Sequence, residues 1–281
     1  MTNYEKLSDG VIYVATGAAY REMACQSVRT LKAQNPGLAA DLFSDMLAFD
    51  GADLFDRVHM VPRNHPRVKI ECMPLSRFAR TLYLDCDTLV VAPFGDLFDL
   101  LERFDIAMAH DVRRCSELIQ QGAEERTPYA FPQLNSGVVL YRRSLATAAF
   151  FTEWIDRYRR VDVARDQISL KDLLWASDIR FYVLPPEFNL RRVTVFDAWE
   201  PMDARPTIIH SHRLIDHLGP QHGSRIRDLE TIVAVERIAL DKEWKAIGVA
   251  GAARKDVRVL LSGLSGASLR DAKAALDSVP S

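Results

Sequence analysis

The stretch Arg80-Thr-Leu-Tyr-Leu-Asp-Cys-Asp-Thr-Leu-Val-Val91 decides the fold. It places a strand-like apolar run, residues 81–84, directly before two carboxylates one residue apart, and a second apolar run, Leu89-Val-Val91, just after them. Side chains two positions apart in extended chain point the same way, so Asp85 and Asp87 share a side. Carboxylates held that close at a buried edge repel unless a cation lies between them. The pair makes a hard oxygen site for Mn2+ or Mg2+ carrying substrate phosphates, because such ions accept few protein ligands and complete their shell with phosphate oxygens and water. The plain alternative for any Asp-x-Asp is a solvated turn that ends a strand; the apolar runs on both sides weigh against it.

Upstream, Val11-Ile-Tyr-Val-Ala15 is a β-branched apolar run closed by Thr16-Gly17, and residues 20–34 carry helical spacing at Met23, Val28 and Leu31 until Asn35-Pro-Gly stops it. Residues 40–44 and 58–61 read as further short strands. Downstream, strand-like runs at 106–109, 137–141, 181–184 and 207–211 alternate with helix candidates at 145–158 and 166–175, and residues 111–127 read as a polar loop with a helical turn. Alternating strands and helices predict an α/β fold with a mostly parallel central sheet flanked by helices. In such sheets ligands bind beyond the carboxyl ends of the strands, which directs attention to the loops after Ala15 and Leu84. From about residue 224 the strand signal ends: 226–247 has helical spacing, and Ser268-Leu-Arg-Asp271 reads as a capping box opening a last short helix. The expected division is therefore 1–223 for the α/β domain and 224–281 for a C-terminal helical appendage. That appendage is read as packing helices, with a homodimer contact or a membrane-surface element as the sharper alternatives.

Composition bounds the function. The 281 residues are 48% apolar and 26% charged, with 36 Lys and Arg against 38 Asp and Glu for a formal charge of −2. This is a globular composition without the basic excess that holds nucleic acid by its phosphates. No apolar run approaches a transmembrane span, and the polar first ten residues carry no export signal. The expectation is a cytoplasmic protein, with association at the inner membrane face left open. Cys25, Cys72, Cys86 and Cys115 follow no zinc spacing and read as free thiols. In Ile208-Ile-His-Ser-His212 the two imidazoles alternate at strand spacing, and a histidine at a strand end is a ready third metal ligand; the alternative is a histidine hydrogen-bonded for structure. GxGxxG, GxxxxGK[ST] and GxSxG are all missing, which removes the dinucleotide, P-loop and serine-hydrolase readings.

Taken in order, Arg67-Val-Lys69, Arg80 to Val91, Leu134-Asn-Ser-Gly-Val-Val-Leu140, Asp166-Gln167, Phe188-Asn189 and Ile208-Ile-His210 resemble the GT-A fold nucleotide-sugar glycosyltransferases. Within them they are similar to family 8, the retaining group of glycogenin and the lipopolysaccharide galactosyltransferases, over about residues 10 to 215. The resemblance implies a GT-A fold and a metal triad of Asp85, Asp87 and His210 holding Mn2+ or Mg2+ on a diphosphate. It implies a uridine pocket lined by Thr16, Gly17 and Tyr20, with Arg67 and Lys69 approaching the donor sugar or its phosphates. Asn135, Asp166 and Gln167 would line the sugar pocket, the last two positioning the sugar and stabilising an oxocarbenium-like state. The family's glycine and lysine after the metal histidine are replaced by Ser211-His-Arg213, and Arg213 is expected to grip the phosphates instead.

The implied reaction moves a hexose or N-acetylhexosamine from a UDP-sugar to a hydroxyl acceptor with retention, the acceptor being a glycan or lipid-linked oligosaccharide, with a protein acceptor left open. Two alternatives are carried with it: a sugar-nucleotide nucleotidyltransferase, against which the first loop lacks a Gly-rich Arg/Lys segment, and a non-catalytic scaffold of the same fold, against which the triad is intact.

Overall fold

The computed structural model describes residues 8–246 other than 64, 113, 115–120, 162–164 and 219–223. The run at 11–15 is the centre of strand β1 (Asp9–Ala15), and α1 (Ala18–Gln34) returns the chain to β2 (Ala39–Ser44) and then β3 (Arg57–Met60). All three pair in parallel, Val11 lying opposite Ala40 and Leu42 opposite Val58. On the other side of β1 lies β4 (Arg80–Leu84), also parallel. These strands are apolar along their length because helices cover both faces of the sheet; Val11, Ile12 and Tyr13 are wholly buried.

The sheet continues through β7 (Val138–Arg142) and β6 (Ile106–Ala109) to β8 (Phe181–Leu184), in the order β3-β2-β1-β4-β7-β6-β8. Strand β7 runs antiparallel to both neighbours, while β6 and β8 pair in parallel. Mostly parallel, mixed at its far side, the sheet matches the expected architecture. Helices α3 (Leu145–Val161) and α4 (Asp166–Ala176) pack on one face around the fully buried Trp154, with Phe150, Phe151, Leu170 and Leu173 in the same core cluster as Ile12 and Tyr83. The four-residue helix α2 (Lys69–Cys72) belongs to that cluster through Ile70 and Cys72.

A second, two-stranded sheet matters most for the site. The chain leaves β4, passes through Asp85-Cys86-Asp87 and enters β5 (Thr88–Val90), which pairs antiparallel with β9 (Ile208–His210). The register sets Thr88 opposite His210.

The chain divides into two compact units, one to Arg227 and one from Asp228; the second contains α5 (Leu229–Ala246). The capping box at 268–271 and Cys115 lie outside the described residues. Cys25, Cys72 and Cys86 are free and buried. No helix among the described residues is long and apolar enough to cross a membrane.

Candidate functional site

The carboxyl ends of β1 and β4 open into a cleft of about 980 Å3. The β5–β9 ladder carries His210 to the two aspartates, and one ligating atom each from Asp85, Asp87 and His210 can be chosen so that all lie within 4.8 Å of one another. His210 Nε2 is 3.3 Å from Asp87 Oδ1 and 3.8 Å from Asp85 Oδ2. The backbone fixes this meeting: Asp85 N–H donates to the Gly137 carbonyl at 2.8 Å and Ser211 N–H to that of Asp87 at 3.1 Å. Gly137 leaves the room. A Cβ there would fall 2.0 Å from His210 Cε1 and 2.7 Å from an Asp85 carboxylate oxygen, so any larger residue would displace the imidazole.

A chain of amides sets the imidazole's proton. The Asp111 carboxylate only accepts hydrogen bonds, so Asn135 must turn its Nδ2 to it, at 3.1 Å. The Asn135 oxygen then accepts from Asn189 Nδ2 at 3.1 Å, and the Asn189 oxygen accepts from His210 Nδ1 at 2.9 Å. Nδ1 therefore carries the hydrogen of the neutral ring, and the Nε2 lone pair faces Asp85 and Asp87. Three electron-pair donors converging on one point are poorly matched to one another and well matched to a cation. Two carboxylates and one imidazole form a donor set that Mn2+ accepts readily and Mg2+ through its oxygens.

Around the triad the charges are buried and paired. Lys69 Nζ sits 3.1 Å from Asp85 Oδ1 and 3.7 Å from Asp166, and donates to the Ser136 carbonyl at 3.2 Å. Burial pulls the Lys69 ammonium down, but Asp85 and Asp166 outweigh it and lift it above the usual lysine range. Asp166, at the first turn of α4 and 3% exposed, accepts from Ser136 Oγ at 2.7 Å and has Arg67 Nε at 3.4 Å. Burial pushes its carboxyl up, and the charges of Lys69 and Arg67 more than offset this, so it stays ionised. The Tyr83 hydroxyl donates to Asp85. Gln167 Nε2 donates to Asp111 at 2.9 Å and to the Leu134 carbonyl at 3.2 Å.

Of the residues singled out in the sequence, Thr16, Tyr20, Arg67, Lys69, Asp85, Asp87, Asn135, Asp166, Gln167 and His210 all line this cleft. Gly17 stands beside it at φ +83, its N–H donating to both Asp45 oxygens at 3.1 and 3.0 Å; it anchors the first loop and is not itself part of the lining. Arg213 is also outside the lining, paired with Asp216 at 3.2 Å within its own turn. The cations at that side are Arg191 and Arg192, and Arg191 Nη1 donates to the His210 carbonyl at 3.0 Å. His212 also reaches the cleft lining, but from a 3-10 turn, because β9 ends at His210. Sequence reasoning overlooked Asp111, Ser136, His65 and the orienting role of Asn189. Asp111 follows the end of β6, so the strand-end rule was a usable signal for it, and Asn189 stood within the Phe188-Asn189 block.

No family model matches the chain. In sequence the chain is 26% identical over 180 residues to glycogenin-1 of Oryctolagus cuniculus, covering 60% of this chain and 48% of that protein. It is equally similar to glycogenin-1 of Homo sapiens, covering 45% of that protein, so the chain spans about half the length of the curated relatives it matches. Solved structures agree in fold at low identity. The glycosyltransferase GlyE of Streptococcus pneumoniae TIGR4 superposes with a TM-score of 0.57 at 17% identity, over 87% of this chain and 66% of that one. The galactosyltransferase LgtC, solved with donor and acceptor sugar analogues, gives 0.56 at 17% identity, over 85% and 99%. In fold, then, the chain is of the GT-A type, and in sequence it resembles glycogenin-1 over about half of that protein's length.

Proposed function

We propose that this protein is a metal-dependent glycosyltransferase that moves a hexose or N-acetylhexosamine from a UDP-sugar to a hydroxyl acceptor with retention. The observation that carries the reading is the meeting of Asp85, Asp87 and an Nδ1-protonated His210 at the mouth of a cleft on the strand ends. Residues 1–223 form the transferase domain in this reading, and 224–281 a helical appendage.

Asp85, Asp87 and His210 would hold Mn2+ or Mg2+, which when bound offsets the charge that builds on the departing diphosphate. The rest is the work of the chain. Thr16, in the loop after β1, and Tyr20, in the first turn of α1, receive the uridine. Lys69 supplies a fixed positive charge that neither titrates at neutral pH nor needs to reorganise, since burial among carboxylates keeps it protonated. Arg191 and Arg192 take the phosphate-gripping role first given to Arg213. Asp166, ionised and held by Ser136, Lys69 and Arg67, offers a negative charge to the sugar as its anomeric carbon becomes electron-poor. Gln167 and Asn135, tied to the common acceptor Asp111, hold the wall against which the sugar ring rests.

Calorimetric titration of UDP tests this. Binding that requires Mn2+, disappears in EDTA and disappears in Asp87→Ala supports it, and warrants assays of UDP-sugar hydrolysis and transfer. No UDP binding in the presence of Mn2+ would remove the UDP-dependent reading.

A further inference from the structure

Beside the main cleft lies a smaller cavity of about 210 Å3 that shares His65 and Arg67 with it. Its walls are Arg63 and His65 from the segment before α2, Arg67, Ile70 and Glu71 around α2, and Ile155, Tyr158 and Arg159 from the last turns of α3. Three guanidinium groups thus face one carboxylate.

That carboxylate is already occupied. Glu71 accepts from Arg159 Nη2 at 2.5 Å and pairs with His65 Nε2 at 3.2 Å. Burial pushes Glu71 up, but Arg159 and His65 hold it below the usual range. His65 Nδ1 accepts the Arg67 N–H at 3.3 Å, so its proton sits on Nε2, toward Glu71. Arg67 is turned to Asp166 at 3.4 Å. A second carboxylate, Asp156, lies 3.9 Å from Arg159 and is half-exposed. With Arg159 on Glu71 and Arg67 on Asp166, Arg63 is the lining guanidinium left without an ion pair among the described residues, in a cavity whose apolar lining is Ile70, Ile155 and the Tyr158 ring and which shares His65 and Arg67 with the main cleft.

We propose that this cavity is the acceptor subsite for an anionic sugar, one bearing a phosphate monoester or a carboxylate, with the ring against Tyr158 and Ile155 and the anion between Arg63 and Arg159. The inference rests on the glycosyltransferase reading and deepens it by naming the acceptor class. A neutral sugar would cover these guanidinium groups without replacing their water. A phosphate or carboxylate replaces that water with charge-assisted, fork-shaped hydrogen bonds.

The experiment uses the full chain saturated with UDP and Mn2+, so that the main cleft is filled before any probe is added. Methyl glucoside, glucose 6-phosphate and methyl glucuronide are titrated in turn, with inorganic phosphate as the ring-free probe. An anionic sugar is expected to bind at least about tenfold tighter than the neutral one; which of the two anions gains separates a phosphorylated acceptor from a carboxylated one. Arg63→Ala, an exposed position without ion pairs among the described residues, and Arg159→Gln should each abolish most of that gain while leaving UDP–Mn2+ affinity unchanged. Thermal melting shows whether Arg159→Gln still folds, and Arg63→Ala carries the test if it does not. Equal binding of neutral and anionic sugars, no binding of any probe at 10 mM, or anion binding indifferent to both variants would overturn the proposal. Should UDP itself fail to bind, the glycosyltransferase reading falls, and the same anion titrations on the unloaded protein, wild type against Arg63→Ala, still report on the cavity.

Discussion

Two aspartate clusters in this protein, one buried and one half-buried, are opposites. Asp41, on β2 and 1% exposed, is closed from within: Arg77 forks onto it through Nε at 2.8 Å and Nη2 at 3.1 Å, and His59 Nε2 adds a third contact at 3.0 Å. The Arg77 guanidinium in turn lies 4.4 Å from the Phe78 ring centre, and His59 stacks on Phe43. Asp85 has Lys69 at 3.1 Å and Asp87 feels the charge of Arg191, yet the two carboxylates face a histidine that offers a lone pair. One cluster has its countercharge built into the chain; the other is arranged to receive it from outside. Burial alone therefore does not mark a functional carboxylate here. The distinguishing feature is the direction in which neighbouring donors and lone pairs point.

The contrast can be broken most forcefully at Asp87. Asp87→Ala is expected to weaken Mn2+-dependent UDP binding about a thousandfold, roughly 4 kcal/mol, without lowering the melting temperature in EDTA, because it removes a charge that only a cation satisfies. A fall in the EDTA melting temperature comparable to the binding loss would mean that Asp87 is a structural residue like Asp41. The reciprocal change, Asp41→Ala, should cost about 3 kcal/mol of stability by stranding Arg77 and His59, yet leave UDP affinity where it was; urea unfolding beside calorimetry reads both.

Asn189→Leu addresses the direction of the lone pair alone. It frees His210 Nδ1 to lose its fixed partner, and metal affinity is expected to drop by about 10- to 100-fold, measured by Mn2+ titration. Unchanged affinity would show that the amide chain does not set the imidazole.

The smallest effect is expected at a third cluster, which sharpens the contrast through pH. Asp105 is held by Arg142 at 2.5 Å and Arg180 at 3.1 Å. Burial raises its carboxyl, but these arginines bring it below the ordinary carboxylate range. A carboxyl that is more acidic folded than unfolded stabilises fully above its unfolded value, near pH 4, and loses that contribution as pH falls through the folded one. The stability gap between wild type and Asp105→Asn should therefore be about 1 kcal/mol at pH 7, since both arginines are partly solvated, persist to about pH 4 and close below it. A gap that is constant down to pH 2 would assign the loss to packing.

What the sequence disclosed and what it withheld follow from the range of the interactions. The runs at 11–15 and 81–84, the carboxylate pair after the second and the helical spacing of α1 are local patterns, and each became the expected element. The start of α1 was placed two residues late because Gly17, not a side-chain cap, ends the loop, with its N–H bound to Asp45. The antiparallel course of β7, set between β4 and β6, leaves no mark in an apolar run that is buried on both faces. Ile208-Ile-His210 was legible as a strand and as a ligand candidate, but its pairing with Thr88 joins segments far apart in sequence. Asp41, Arg77 and His59 carried no motif at all, since a closed ion cluster needs only complementary charges that meet in space. Arg213 is expected at the phosphates from its place after the histidine; it lies in a 3-10 turn, paired with Asp216 and outside the cleft lining, whereas Arg191, arriving from another segment, lies within that lining.

The β5–β9 ladder has one more consequence. Asp87 stands where the chain leaves the first half of the sheet, and His210 stands where it comes back after building β6, β7, β8, α3 and α4. A cation gripping both would act as a detachable crosslink around that whole excursion, shrinking the freedom of the unfolded chain as a covalent tie would and stabilising the folded form in proportion to its concentration above its dissociation constant. The supply of metal would then govern how long each molecule survives proteolysis as well as how fast it turns over.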